Sequence, residues 1–208
     1  MIKNILFDLG GVLIDCDLQA ACDSFRKLGL ENISDFLNLY CQNGFFYGIE
    51  SGEYTRAQFN DRVREEIGKY VSDEDIDAAW KAIIKGVNLE KLHWIEKNRQ
   101  NYKFYLLSNL NPYIFEWAET EAFSADKKPL HCYFDKMYIS YLIKMTKPNH
   151  EIFNYVLSDA GIKAEETLYI DDGTKNIQSG KELGFATYQP QNGENWISAV
   201  EEEICRHK

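Results

Sequence analysis

Two short apolar runs at opposite ends of the chain stop at carboxylates. Ile5-Leu6-Phe7 runs into Asp8, and Leu168-Tyr169-Ile170 runs into Asp171-Asp172. Runs of this length, bounded by polar or glycine-rich sequence, read as parallel strands buried on both faces by helices. Sheets of that kind take their ligands outside the carboxyl ends of the strands, so these acids are expected to share one crevice. Three carboxylates brought together repel one another, and a divalent cation relieves the repulsion. An oxygen-only donor set with no His or Cys cluster nearby favours Mg2+ over zinc.

Composition narrows the partners. With 208 residues, 45% of them hydrophobic, the chain has enough apolar material for a sizeable core. A net charge of -10 argues against nucleic acid or an anionic membrane as the main partner, because either needs a basic surface. A small diffusible metabolite fits better. Cys16, Cys22, Cys41, Cys132 and Cys205 are odd in number and contain no CxxC pair, so neither a disulfide framework nor a zinc site is implied. The apolar stretch near the amino terminus is broken by Asp8 and Asp15, too early for a signal-peptide core. No later run approaches the roughly 20 apolar residues of a membrane span. The expectation is a soluble, cytoplasmic protein.

The hydrophobic period changes along the chain. After the first strand, Gly10-Gly11 and Val12-Leu13-Ile14-Asp15 read as a tight turn into a short hairpin-like flap. Residues 18–28, 33–40, 55–70 and 73–85 then carry apolar side chains at helical spacing, which predicts an all-helical stretch. Alternating helix and strand resume with a helix over 89–101, a strand over 104–107 ending at Ser108, and a helix over 112–123 opened by Pro112. There follow a strand at 137–139, a helix over 148–160 capped by Gly161, the strand at 168–170, a helix over 174–183, and a strand at 185–188. The predicted architecture is α/β: a Rossmann-like, three-layer parallel-sheet core made of residues 1–16 and 89–208, interrupted by a helical cap domain over 17–88.

Asp8-Leu9-Gly10-Gly11-Val12, Ser108-Asn109 after an apolar strand, Lys147-Pro148 before a helix, and Asp171-Asp172 after a strand resemble, in that order, the four motifs of the haloacid dehalogenase-like hydrolase superfamily. The insert after the first motif resembles the helical cap of the subgroup containing phosphoglycolate phosphatase and β-phosphoglucomutase. The Asp-Leu-Gly opening and the Ile-Asp-Asp exit look like the α-D-glucose-1-phosphate phosphatase branch. The resemblance implies a Mg2+-dependent phosphatase acting on a small phosphorylated metabolite. Asp8 would be the nucleophile that forms an aspartyl-phosphate. Asp8, the Gly10 carbonyl, Asp172 and, directly or through another group, Asp171 would hold the metal. Ser108, Asn109 through its backbone N–H, and Lys147 would hold the phosphoryl group. The assignment is chemically coherent, since a carboxylate attacks phosphorus only once the phosphate's charge is neutralised.

Each residue alone admits a plainer role: Asp171-Asp172 and Ser108 as caps of the helices that follow, Lys147 as a solvated charge. The chain also departs from the family pattern. Phosphatases of this superfamily usually carry a second aspartate two residues after the nucleophile as general acid and base. Gly10 stands there instead. A preference for good leaving groups such as sugar-1-phosphates is one expected consequence, with Asp15 as a substitute acid. A halide-releasing dehalogenase and a phosphate-binding protein without turnover are the alternatives. Specificity is expected from the insert, where Asn43 to Gly52 reads as an aromatic loop that closes over substrate through Tyr47 and Glu50, while Phe45 and Phe46 read as core.

Overall fold

The computed structural model describes residues 1–38 and 42–207. Five strands form one parallel sheet: β1 (Asn4–Phe7), β4 (Lys103–Ser108), β5 (Lys136–Ile139), β6 (Thr167–Ile170) and β7 (Ala186–Tyr188), in the order β5-β4-β1-β6-β7. β1 is central, pairing Phe7 with Leu106 on one side and with Ile170 on the other. The chain fills one half of the sheet outward from β1 and then returns to fill the other half. The strand order therefore reverses beside β1, and a crevice opens there at the carboxyl ends.

Alternation along the strands divides the core in two. Ile5 and Phe7, with Phe104, Leu106, Leu168 and Ile170, face α5 (Leu89–Asn98) and α10 (Ile197–Arg206). Leu6, Tyr105, Leu107 and Tyr169 face α8 (His150–Ala160) and α9 (Thr174–Glu182). This is the three-layer, Rossmann-like α/β fold expected from the sequence.

Between β2 (Ile14–Cys16) and β3 (Ile84–Val87) lie the helices α1 (Leu18–Leu28), α2 (Gly44–Ser51), α3 (Arg56–Ile67) and α4 (Asp73–Lys81). They surround a separate apolar cluster dense in aromatic rings, with Phe25, Phe46, Phe59 and Trp80 at its centre. Tyr113 joins this cluster from α6 (Pro112–Ala118) of the sheet layer, stacking on Trp80.

Several expectations need correction. Residues 12–15 form no hairpin of their own: β2 pairs antiparallel with β3, about seventy residues later. The helix expected over 73–85 stops at Lys81, because Ile84 and Val87 are β-branched and find strand partners in Cys16 and Ile14 of β2. The expected loop from Asn43 to Gly52 is α2. Its glycines are explained by packing: a Cβ on Gly48 would run into the Tyr54 ring, and Gly52 is the left-handed cap. Of the helix expected over 33–40, the structure has a single tight turn at Ile33–Asp35; Tyr40, like Cys41, lies outside the described residues. The helix expected over 112–123 ends at Ala118, and a short α7 (Ser140–Ile143) follows β5. Among the described residues, no helix is long and apolar enough to cross a membrane.

Candidate active site

Asp8 is the first residue beyond β1, and its amide donates to the Ile170 carbonyl at 2.8 Å, so the strand ladder itself fixes where the side chain begins. Asp171 and Asp172 follow β6 on one side, and Ser108 ends β4 on the other. Carboxylate oxygens of Asp8, Asp171 and Asp172 all lie within 4.8 Å of one another. The three acids from the two ends of the sequence do share one crevice.

Lys147 enters from the segment between α7 and α8 with its side chain 1% exposed. Its ammonium sits 3.0 Å from Asp8 Oδ1 and 2.6 Å from Asp171 Oδ2. It is therefore not a solvated charge. Asn109 secures it: its side-chain oxygen accepts from the Lys147 amide at 2.8 Å and its side-chain nitrogen donates to the Lys147 carbonyl at 2.9 Å.

The two neighbouring acids have different surroundings. Asp171 is fully buried, and besides Lys147 it accepts from the Tyr169 hydroxyl, the Gly173 amide at 2.7 Å and the Asn176 side chain at 2.9 Å. Its lone pairs are taken, and not as a helix cap: the N-cap of α9 is Gly173, with no side-chain capping bond. Asp172 forms no ion pair with any described residue and lies against Gly11, where a Cβ would overlap its carboxylate. Gly11 also has φ +70°, a region that favours glycine. α6 is capped by Asn111 and not by Ser108, whose hydroxyl is instead close enough to Asp8 to favour its ionised form.

The electrostatics follow from this geometry. Burial raises the Asp8 carboxyl to about 6, with Lys147 pulling it down and Asp171 pushing it up. Burial, then the charges of Asp8 and Asp171, raises Asp172 to about 8. Burial alone would lower the Lys147 ammonium, but Asp171 and Asp8 outweigh that and hold it above its ordinary value. One ammonium faces three carboxylates, leaving an excess of negative charge.

The loop carrying Gly10 and Gly11 is braced from below. The Val12 carbonyl accepts from the fully buried Lys91 ammonium at 2.7 Å and from the Trp196 indole at 2.9 Å. Lys91 gives no sign of this in the sequence, where it reads as one more lysine on a helix. Tyr169 does give a sign, since it shares a strand face with Asp171 by the period of two.

A cavity opens at the crevice, lined by Asp8, Gly10, Ser108, Asn109, Lys147 and Asp172 from the sheet layer and by Gln42, Glu50 and Trp80 from the helical insert. Glu50 is buried, and burial, then the nearby Asp8 charge, raises its carboxyl to about 8. Tyr47, named with Glu50 as a substrate contact, does not line this cavity. It is 40% exposed, with its hydroxyl 3.2 Å from Thr146 Oγ1. Asp15 is also outside the cavity: the alternation of β2 turns it toward Lys91, 3.8 Å away, and Gly193. Phe45 and Phe46 are core, as expected.

A Rossmann-like sheet with an acid-rich crevice at its strand reversal defines a class; comparison with known proteins defines the family. A model of the haloacid dehalogenase-like hydrolase family matches residues 2–184, and the chain belongs to that family. It is 43% identical, over 94% of its length and 95% of the other's, to a D-ribitol-5-phosphate phosphatase of Bacteroides thetaiotaomicron. Among solved structures, a HAD-like family hydrolase from Porphyromonas gingivalis superposes with a TM-score of 0.94 at 37% identity, covering 98% of both chains. A HAD family enzyme from B. thetaiotaomicron, complexed with magnesium and inorganic phosphate, superposes with a TM-score of 0.89 at 43% identity, covering 96% of this chain and 99% of the other.

Proposed function

We propose that this protein is a Mg2+-dependent phosphatase of small sugar or polyol phosphates, working through an aspartyl-phosphate on Asp8. The observation that carries the reading is the meeting of Asp8, Asp172 and Lys147 at the point where the sheet order reverses, on a cavity wall shared with Ser108.

The residues suit a hard divalent cation. Asp8 and Asp172 offer carboxylate oxygens and Gly10 its carbonyl, while the glycine at position 11 leaves the Asp172 carboxylate room. Asp171 is a poor ligand, because four donors already occupy it. Its part is to hold Lys147. The bound ion would neutralise charge so that an anionic nucleophile and an anionic phosphate can approach one another. Lys147, the Ser108 hydroxyl and the Asn109 amide would bind phosphoryl oxygens. Asp8 then attacks phosphorus, the ester P–O bond breaks, and water cleaves the aspartyl-phosphate. The helical insert acts as the cap over the cavity and supplies its outer wall.

The substrate class follows from the phosphatase relative, whose substrate is a phosphorylated polyol. Gly10 favours a second member of the class, the sugar-1-phosphates, whose anomeric hydroxyl leaves with less protonation. A dehalogenase, which works without a metal, is disfavoured, because Asp8 and Asp172 side by side with no cation between them repel a carboxylate substrate. The test is phosphate release from ribitol 5-phosphate, glucose 1-phosphate and p-nitrophenyl phosphate with Mg2+. Turnover should vanish with EDTA and in Asp8→Asn. Absence of phosphate release from all three by the Mg2+-loaded protein refutes the reading.

A further inference from the structure

Gly10 leaves the loop after Asp8 without a side chain to protonate a departing alcohol. Ordinary alkoxides are poor leaving groups, and a positioned acid typically contributes a factor of about 10²–10⁴. The donor must come from elsewhere in the cavity. Its wall carries three carboxyls, those of Asp8, Asp172 and Glu50. The first two sit against one another beside Lys147. The Cys16 thiol, also on the wall, is pushed up to about 12, chiefly by burial. The Lys147 ammonium is committed to two acids.

Glu50 differs from these in position and pairing. It belongs to α2, on the insert's side of the cavity, and among the described residues its carboxylate forms no ion pair. Displacement at phosphorus runs in line, so an ester attacked by Asp8 expels its oxygen on the side away from the strand ends, toward that wall. The backbone holding Glu50 is fixed to the sheet layer. The Ser140 hydroxyl donates to the Glu50 carbonyl at 2.6 Å, and Ser140 Oγ in turn accepts from the Leu110 amide at 3.0 Å. Two residues on, a Cβ at Gly52 would collide with the Tyr141 carbonyl, so α2 ends pressed against α7.

Resting on the phosphatase reading, we propose that Glu50 is the general acid and base that replaces the side chain missing at Gly10. As Asp8 Oδ bonds to phosphorus and the P–O bond of the ester breaks, Glu50 gives its proton to the leaving oxygen, and the alcohol departs neutral. Glu50, now a carboxylate, takes a proton from the water that attacks the aspartyl-phosphate. Phosphate leaves, Asp8 is freed, and Glu50 is again protonated. Its surroundings suit a carboxyl that holds a proton near neutrality: burial and then the Asp8 charge favour the protonated form, and they outweigh Lys147 and Gln42, which favour the ionised one.

The experiment compares leaving groups in Glu50→Gln, with circular dichroism confirming that the variant is folded. The probes are a series of aryl phosphates of graded phenol acidity and glycerol 3-phosphate, in Mg2+. p-Nitrophenolate, which needs no proton, should still appear in a pre-steady-state burst within about threefold of the parent rate, followed by slow turnover because the base is missing. Alcohol release from glycerol 3-phosphate should fall by about 100-fold or more. The dependence of the burst on phenol acidity should be steep in the variant and shallow in the parent. Glu50→Asp should recover part of the loss. An equal loss for all leaving groups, or a rise in KM with kcat unchanged, overturns the proposal. A parent protein that turns over none of the probes refutes the phosphatase reading itself, and Glu50 with it; the leaving-group comparison in an active parent tests Glu50 alone.

Discussion

Replacing Lys147 by Met keeps most of the side-chain volume and removes the one ammonium among three acids. At 3.0 and 2.6 Å from Asp8 and Asp171, and with an effective dielectric of about 20, the two attractions amount to about 5.5 and about 6.4 kcal/mol before desolvation. Burying the ammonium offsets several kcal/mol of this, so the net loss should be roughly 3–5 kcal/mol, as for other buried pairs that lose one partner. The loss should depend on pH. Asp8, already raised to about 6, is pushed higher without Lys147, while in the unfolded chain it stays near its ordinary value. The folded variant therefore binds protons that the unfolded chain releases, and its stability is lost as pH rises through that interval. Urea unfolding in EDTA should show the full penalty at pH 8 and a clearly smaller one at pH 5. A penalty below about 1 kcal/mol at pH 8, or one equal at both pH values, refutes the reasoning.

Three further outcomes are expected. Glu50 is raised to about 8 in the folded protein, so in metal-free buffer the parent should lose stability between pH 5 and pH 8, and Glu50→Gln should flatten that slope in urea titrations at each pH. Gly11→Ala places a methyl in the Asp172 carboxylate and forces φ +70° on alanine; unfolding should cost about 1–3 kcal/mol in strain, and Mg2+ should no longer raise the melting temperature. Phe46→Ala empties the centre of the insert's aromatic cluster, where its ring lies 5.0 Å from Phe59 and 5.1 Å from Trp80, and should cost about 3–5 kcal/mol by denaturant titration.

The sheet was legible because its strands are short and largely apolar, and because three of them run into chemically distinctive residues: β1 into Asp8, β4 into Ser108 and β6 into Asp171. The Asn43 to Gly52 stretch misled because glycine signals both a turn and a close approach, and at Gly48 it is the Tyr54 ring that demands it. The end of α4 misled because helical spacing continues to Lys85, while the residues that decide against a helix are in β2, far away in the sequence. The groups that brace the site were the hardest to read. Asn109 grips Lys147 with its side chain, Asn176 holds Asp171 and Lys91 braces the Val12 carbonyl, yet each is an ordinary residue whose bracing role exists only once its neighbours have been assembled. Asp15 failed as a substitute acid for a simpler reason: strand alternation turns it away from the cavity.

The pairing of β2 with β3 means that the chain leaves the sheet layer and returns to it side by side, with Ile14 opposite Val87. Adjacent crossings make the intervening helices a cassette: they can lengthen, shrink or be grafted from a relative without rerouting any strand of the sheet. The sheet with its acid-rich crevice and the insert that walls the cavity can then vary in length and sequence by separate steps, coupled at contacts such as that of Glu50 with Ser140.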